Sequence, residues 1–189
     1  MQTNILWAGS EYHSLENCLI TSTHAGNDIN SIIIGHYENK ICSAAYHIKT
    51  GIHWETYFLK LNYRIDNKET ELRLEKDINE NWWLNEKQMD AFKSCVDIDI
   101  SITPFTNTLS INRLKLSPNE EREIQVIYID VFEEQVKQVH QKYQKLSDMT
   151  YLYKNVPGDF EAEIEVDESG FVVNYSSLFE RKALLKTSR

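Results

Sequence analysis

The sequence predicts a mainly β chain laid out as an antiparallel meander, and three observations predict it. Apolar and polar residues alternate with period two through most of the chain. Turn-forming clusters (GND, YENK, KTG, DNKE, NEN, SPNE, VPGD and DESG) recur at intervals of about ten residues. Six glycines and three prolines among 189 residues leave the segments between those turns little interrupted. Short connections between successive strands favour antiparallel neighbours.

Taken in order, Ile32, Ile34 and His36 alternate with Ser31, Ile33 and Gly35, which predicts a strand buried on most of both faces. In WETYFLKLNYRI, Tyr57, Leu59, Leu61 and Tyr63 share one face, and Trp54, Thr56, Phe58 and Lys60 the other. Leu72 and Leu74 alternate with Glu71, Arg73 and Glu75, and EREIQVIYIDVF repeats the pattern. FEAEIEVDESGFVVNY reads as a hairpin, with Gly170 where the turn calls for a positive φ. EEQVKQVHQKYQKL is the exception, because Val136, Val139, Tyr143 and Leu146 fall at helical spacing. As a strand it would put Val139, Gln141 and Tyr143 on one face, a poorer apolar pattern.

Composition bounds the function. The length fits one domain spanning 1–189, and 26% charged residues are ordinary for a globular chain. A net charge of −9 argues against nucleic acid and against an anionic membrane surface. Three cysteines without a CxxC spacing suit a reducing compartment, and neither a signal peptide nor a membrane-spanning run is evident, so a cytoplasmic location is expected. Asn174-Tyr175-Ser176 then carries no meaning as a glycosylation site.

The chemistry-bearing stretch is CVDIDISITPFTNTLSINRL, residues 95–114. On a strand, Asp97 and Asp99 point the same way with Cα atoms about 6.5–7 Å apart, so one carboxyl must rise in pKa unless a cation joins them. Arg113 and Arg181 are candidates. A calcium loop would need glycine where Ile102 stands and glutamate where Thr108 stands, so that reading fails. A glycosidase-like pair remains open, as does a charge-paired network that fixes the following loop. Pro104 ends the strand, and Thr103, Thr106, Asn107 and Thr108 predict a loop held by its own hydrogen bonds. The six histidines form no HxH or HExxH, and GxGxxG, P-loop and GxSxG motifs are absent, so metal and nucleotide signatures are missing. Cys95 reads as a buried thiol; Trp54, Trp82 and Trp83 read as core or pocket lining.

The C-x-D-x-D-x-x-x-T-P-x-T-N-T-L-x-I-x-R-L pattern of residues 95–114, followed by QKYQKLSDMTYLY and GDFEAEIEVDESGFVVNYSSLFER, resembles the signature of the bacterial glycolipid-binding family. Ser110, Asn112 and Phe179 depart from that pattern, where proline, arginine and tryptophan are expected. The resemblance implies a large curved antiparallel sheet of about ten strands, a half-barrel similar to lipoprotein-carrier folds, with at most one or two short helices. It also turns EEQVKQVHQKYQKL into a strand. The implied function is non-catalytic binding of an amphipathic molecule, a glycolipid or acylated metabolite, in the concave face. The alternatives are a small-molecule enzyme using Asp97 or Asp99 as general base, and a structural or oligomer-forming protein. Asp97, Asp99, Thr103, Arg113 and Arg181 are assigned to a structural polar network, and Trp54, Asn107 and Tyr143 to ligand contact. No catalytic residue, metal or cofactor is expected. An amphipathic ligand is the expected partner, without nucleic acid or stable membrane insertion.

Overall fold

The structure, a computed structural model, describes residues 1–187. One run of strands comprises β1 (Gln2–Gly9), β2 (Ser14–Thr23), β3 (Gly26–Tyr37), β4 (Lys40–Thr50), β5 (Thr56–Ile65), β6 (Lys68–Lys76) and the short β7 (Trp82–Leu84) and β8 (Lys87–Gln88). After a single 3-10 turn at Asp90–Phe92 come β9 (Asp97–Ile100) and the α-helix α1 (Phe105–Leu114). The second run is β10 (Glu121–Asp130), β11 (Gln135–Lys145), β12 (Thr150–Val156), β13 (Glu161–Val166), β14 (Val172–Tyr175) and β15 (Phe179–Thr187).

All fifteen strands belong to one open sheet, with β1 and β15 side by side at its centre and β8 and β9 at its edges. The count exceeds the expected ten because β7, β8, β9 and β14 are only two to four residues long. The sheet does not close into a barrel, and the half-barrel description holds. EEQVKQVHQKYQKL is strand β11, paired with β10 and β12. Neighbours are antiparallel except β9 and β10, which run parallel. A parallel pair needs a crossover rather than a hairpin, and residues 101–120 supply it with α1 in the middle.

That crossover corrects the loop expected over 103–108. β9 stops at Ile100, three residues before the Thr103 expected to end it, and a helix follows directly: Pro104 takes helical angles (φ −79°, ψ −16°). The Thr103 hydroxyl accepts the Phe105 N–H at 3.1 Å, satisfying one of the free donors of the first turn. All of Phe105–Ile111 is buried, because α1 fills the concavity that an unclosed sheet would otherwise leave empty. Phe105 and Leu109 pack into the core formed by the inner faces of β1–β7, together with Trp7, Tyr46, Leu59, Leu61 and Trp82. Ile111 packs into a second core with Tyr143, Tyr151, Tyr153, Ile164 and Tyr175. Ile98, Ile100, Ile127 and Ile129 leave the opposite face of β9 and β10 and join the first core. The aspartates of β9 therefore face the second.

Two strand assignments change. Ile32 and Ile34 are exposed (60% and 63%) while Ser31 and Ile33 are buried, so β3 is covered on one face only. Leu15, opposite Ile34, and Ile41 share that uncovered outer face. Tyr57 also faces out, because the β4–β5 ladder slips between Lys49 and Thr50: Phe58 opposes Lys49, Thr56 opposes Thr50, and Tyr57 is the extra residue. A bulge of this kind reverses the alternation on either side of it.

Candidate functional site

The two aspartates of β9 have separate fates. Asp97 is fully buried and held by Arg113 through Nε–Oδ1 at 2.9 Å and Nη2–Oδ2 at 2.6 Å, a bidentate pair. Ser110, one turn before Arg113 on α1, donates its hydroxyl to the same carboxylate at 3.0 Å. Asp99 pairs with no cation among the described residues. It accepts the Thr106 hydroxyl at 2.8 Å and the Gln141 amide at 2.6 Å. The partners are therefore side chains of α1 and β11 rather than loop backbone. Arg181 lies elsewhere, bonded to Asp167 at 2.6 Å, where Asp167 also receives the backbone N–H groups of Ser169 and Phe171 in the hairpin turn. Thr103 donates to Glu16 at 2.7 Å. Of the five residues assigned to one network, Asp97 and Arg113 form one group, Asp99 a second, Thr103 a third, and Arg181 a fourth.

Residues of β9–β12, β14, β15 and the first turn of α1 line a cleft of ≈ 560 Å³. Period two dictates its lining: Asp99 on β9, Tyr128 and Asp130 on β10, Lys137, Val139 and Gln141 on β11, and Tyr153 and Asn155 on β12. Tyr175 and Phe179 close the far side, and Glu11, Tyr12, Pro157, Asp159 and Phe160 come from turns at the mouth. Ring contacts link the wall: Tyr153 meets Phe160 at 6.0 Å and Tyr175 at 6.1 Å between centroids.

The field in this cleft is negative. Burial raises the pKa of Tyr12, Tyr128, Tyr153 and Tyr175, and in each the Asp99 carboxyl adds to the rise. Asp99 itself is pushed up by burial, partly offset by the hydrogen bonds from Thr106 and Gln141. Gln141 is 1% exposed, and with its Nε2 given to Asp99 its Oε1 has no hydrogen-bond partner. Among the described residues Thr56 and Thr108 also hold an unpartnered buried hydroxyl, but only Gln141 of these lines the cleft. Buried amide oxygens are rarely left unpaired, since desolvation then goes uncompensated.

Of the residues assigned to ligand contact, Asn107 lines the cleft. Tyr143 lies behind it, 1% exposed, donating its hydroxyl to Asn107 Oδ1 at 2.9 Å. Trp54 lies outside it, in the β4–β5 turn at φ +69°, edge-on to Phe171 at 6.3 Å. Trp82 is core, its Nε1 donating to the Cys95 carbonyl at 2.9 Å. Cys95 is a buried thiol, its pKa raised to about 11 by burial and then by Asp97. Among the described residues no cluster of His, Cys, Asp or Glu is arranged to hold a metal, and no helix is long and apolar enough to cross a membrane.

Sequence reasoning missed Gln141, Tyr128 and Tyr153, and also Glu16. Glu16 is 2% exposed within the first core, accepting hydroxyls from Ser31 and Thr103 at 2.7 Å and from Tyr46 at 2.6 Å. Burial raises its pKa to about 7 against those hydrogen bonds. The inverted order Ser14-Leu15-Glu16, apolar out and polar in, was the available signal.

Ser110 and Asn112 are both engaged, Ser110 with Asp97 and Asn112 through Nδ2 with the Ser169 carbonyl at 3.0 Å, while Phe179 lines the cleft. No curated protein matches the chain. A solved structure does: the crystal structure of a DUF1089 family protein from Pseudomonas aeruginosa at 1.80 Å resolution superposes with a TM-score of 0.76 and 27% sequence identity, covering 88% of this chain and 91% of that one. The sequence profile of the family described as "Putative glycolipid-binding" matches residues 4–181. With that match running from β1 into β15, the chain belongs to the glycolipid-binding family.

Proposed function

We propose that the cleft over β9–β15 holds an amphipathic molecule, a glycolipid or acylated metabolite, without chemical change. The observation that carries this reading is the cleft itself, a space of ≈ 560 Å³ walled by both polar and apolar side chains, with the unpartnered Oε1 of Gln141 buried in its wall. Val139, Val156, Pro157 and Phe160 offer the apolar part of the ligand a surface beside it. The family description favours a lipid-like ligand. Native mass spectrometry of protein purified from its own cells tests the reading: a co-purified amphipathic molecule should accompany wild type and be lost from a folded Tyr153→Ala variant. Its equal retention by both would place the ligand elsewhere.

Asp99 favours a second reading. A carboxyl with a raised pKa in a cleft is suited to acid–base catalysis on a small substrate. In that case the co-purified molecule would change mass on incubation, and Asp99→Asn would stop the change.

A further inference from the structure

The uncovered outer face of β1–β4 is built unlike a solvated sheet surface. The ladder registers align its outward residues in rows: Leu6, Asn17, Ile32 and Ala45 in one, Ala8, Leu15, Ile34 and Ser43 in the next, and His36 beside Ile41 in a third. No aspartate, glutamate, lysine or arginine stands in these rows, in a chain that is 26% charged. Leu15, Ile32, Ile34 and Ile41 each expose more than half of their surface. Contiguous apolar surface of this kind on a folded chain marks an interaction site. Ionic groups return at the β5–β6 rim, where Arg64 opposes Glu69 and Lys60 holds Glu71 at 2.9 Å. A charge-free centre beside a charged rim is the anatomy of a protein interface.

The relief of the face selects its occupant. Ile32 and Ile34 form a ridge along β3. Beside it the small side chains of Ser43 and Ala45 leave a furrow along β4, a space of ≈ 640 Å³ closed on its far side by Asn62 and Arg64. A second groove of ≈ 650 Å³, lined by Leu6 and Leu15, flanks the ridge on its other side. Ridge and furrow lie one strand apart, about 4.8 Å. A two-fold axis along the β3–β4 boundary therefore brings the ridge of each copy onto the furrow of the other, the self-complementarity that an isologous contact requires. A bilayer has no use for the furrow, and an anionic one would meet Glu69, Glu71 and a net charge of −9. The area is near that of a stable dimer. Six strands at about 4.8 Å and three rows at about 6.8 Å give a footprint of roughly 600 Å² before side-chain relief is counted, against about 800 Å² of accessible surface a side in a standard interface. We propose that a second copy of this chain covers the face, sheet on sheet, with Ile32 and Ile34 of each copy seated in the Ser43–Ala45 furrow of the other. The contact shares no lining residue with the cleft and does not depend on what the cleft holds.

Sedimentation equilibrium of the full chain at neutral pH tests the contact. Above about 1 μM the particle should have twice the 22.2 kDa mass of the chain, since interfaces of standard size hold from micromolar concentrations downward. Ile34→Glu should raise the dimer Kd at least about hundredfold by setting a carboxylate into the furrow. Ala45→Leu is the sharper variant: it adds apolar surface but fills the furrow, so it should weaken the dimer at least about tenfold. Both side chains face outward, and circular dichroism checks the fold. Ile78→Glu alters an isoleucine that is 96% exposed but outside both grooves, and it should leave the dimer unchanged. A wild type that stays monomeric at about 100 μM overturns the proposal, and if that monomer floats with phosphatidylcholine vesicles the face belongs to a bilayer. A dimer indifferent to Ile34→Glu lies elsewhere on the chain. Tighter association of Ala45→Leu, or assemblies that grow beyond two copies, overturns the two-fold ridge-in-furrow contact.

Discussion

Arg113→Ala tests whether α1 is held in place by charge. Arg113 sits in the last turn of the helix, and its guanidinium meets the Asp97 carboxylate through Nε at 2.9 Å and Nη2 at 2.6 Å. The Asp97 side chain is wholly inaccessible, whereas that of Arg113 is 21% exposed. Truncation would leave a buried carboxylate with one neutral donor, Ser110. Removing one partner of a buried pair costs about 3–5 kcal/mol, chiefly because the other charge stays desolvated. The exposed fifth of Arg113 admits some water to the gap, so about 3 kcal/mol is the expected loss. In a chain of this size 1 kcal/mol shifts Tm by about 2–4 °C, which gives a fall of about 6–12 °C. Thermal unfolding followed by circular dichroism at pH 7 measures it. Arg113→Lys should fall between, keeping the charge but losing the fork. Replacing both residues with apolar side chains, Asp97→Leu/Arg113→Met, should recover much of the single-variant loss, since no charge is then stranded. A Tm within about 2 °C of wild type for Arg113→Ala, or a double variant worse than the sum of its singles, would refute the reasoning.

Glu16 predicts a pH dependence. Its folded pKa of about 7 lies above the ordinary 4.5, so the folded chain holds a proton that the unfolded chain has released. Its contribution is full below pH 4.5 and is lost as pH rises through 7. The loss amounts to roughly 3 kcal/mol at about 1.4 kcal/mol per unit. Glu16→Gln should flatten the urea-denaturation stability of the protein between pH 5 and 8 by about that amount, and parallel pH profiles for variant and wild type would contradict it. Gly170→Ala should destabilise by at least about 1 kcal/mol in the same assay, because φ there is +74° and a Cβ would lie 2.1 Å from Asn112 Oδ1; an unchanged midpoint would mean that Asn112 moves aside freely. Phe105→Ala, at the fully buried start of α1, should cost about 3–5 kcal/mol through the cavity it leaves in the first core. A loss under about 1 kcal/mol would show that the helix is not what fills the concavity.

How much of this was legible depends on what each residue faces. The strands were readable because most of the sheet has one covered face, which gives period two a physical cause. Where a bulge intervenes at Tyr57, or where β3 leaves isoleucines uncovered, the alternation persists but its sign is not the one the pattern suggests. The helix was invisible for the opposite reason. From Phe105 to Ile111 it is buried all round, so it carries no apolar stripe, and Thr106, Asn107 and Ser110 turn their polar groups inward to Asp99, Tyr143 and Asp97. Those residue types also disfavour helix interiors on their own, which made the loop reading natural. The Thr-Pro pair expected to end β9 instead leads into α1, and only the parallel pairing of β9 with β10 decides between a loop and a crossover.

The site follows the same logic in reverse. Val139, Gln141 and Tyr143 lie on one face of β11, and the glutamine between two apolar neighbours is what made that strand look poorly patterned. A polar residue at an inward position must be satisfied from within the chain, or else leave an atom for something outside it. Asn107 and Tyr143 satisfy each other, and Asp97 is satisfied by Arg113 and Ser110. Gln141 satisfies Asp99 with its nitrogen and keeps its oxygen unspent. The break in the apolar pattern and the unpartnered buried oxygen are one fact seen at two levels. For a β11 built only to close the core, leucine at 141 would pack at least as well, but it would strip Asp99 of one of its two donors. Glutamine at that position therefore serves Asp99, and its side chain lies where the polar network of the fold borders the cleft.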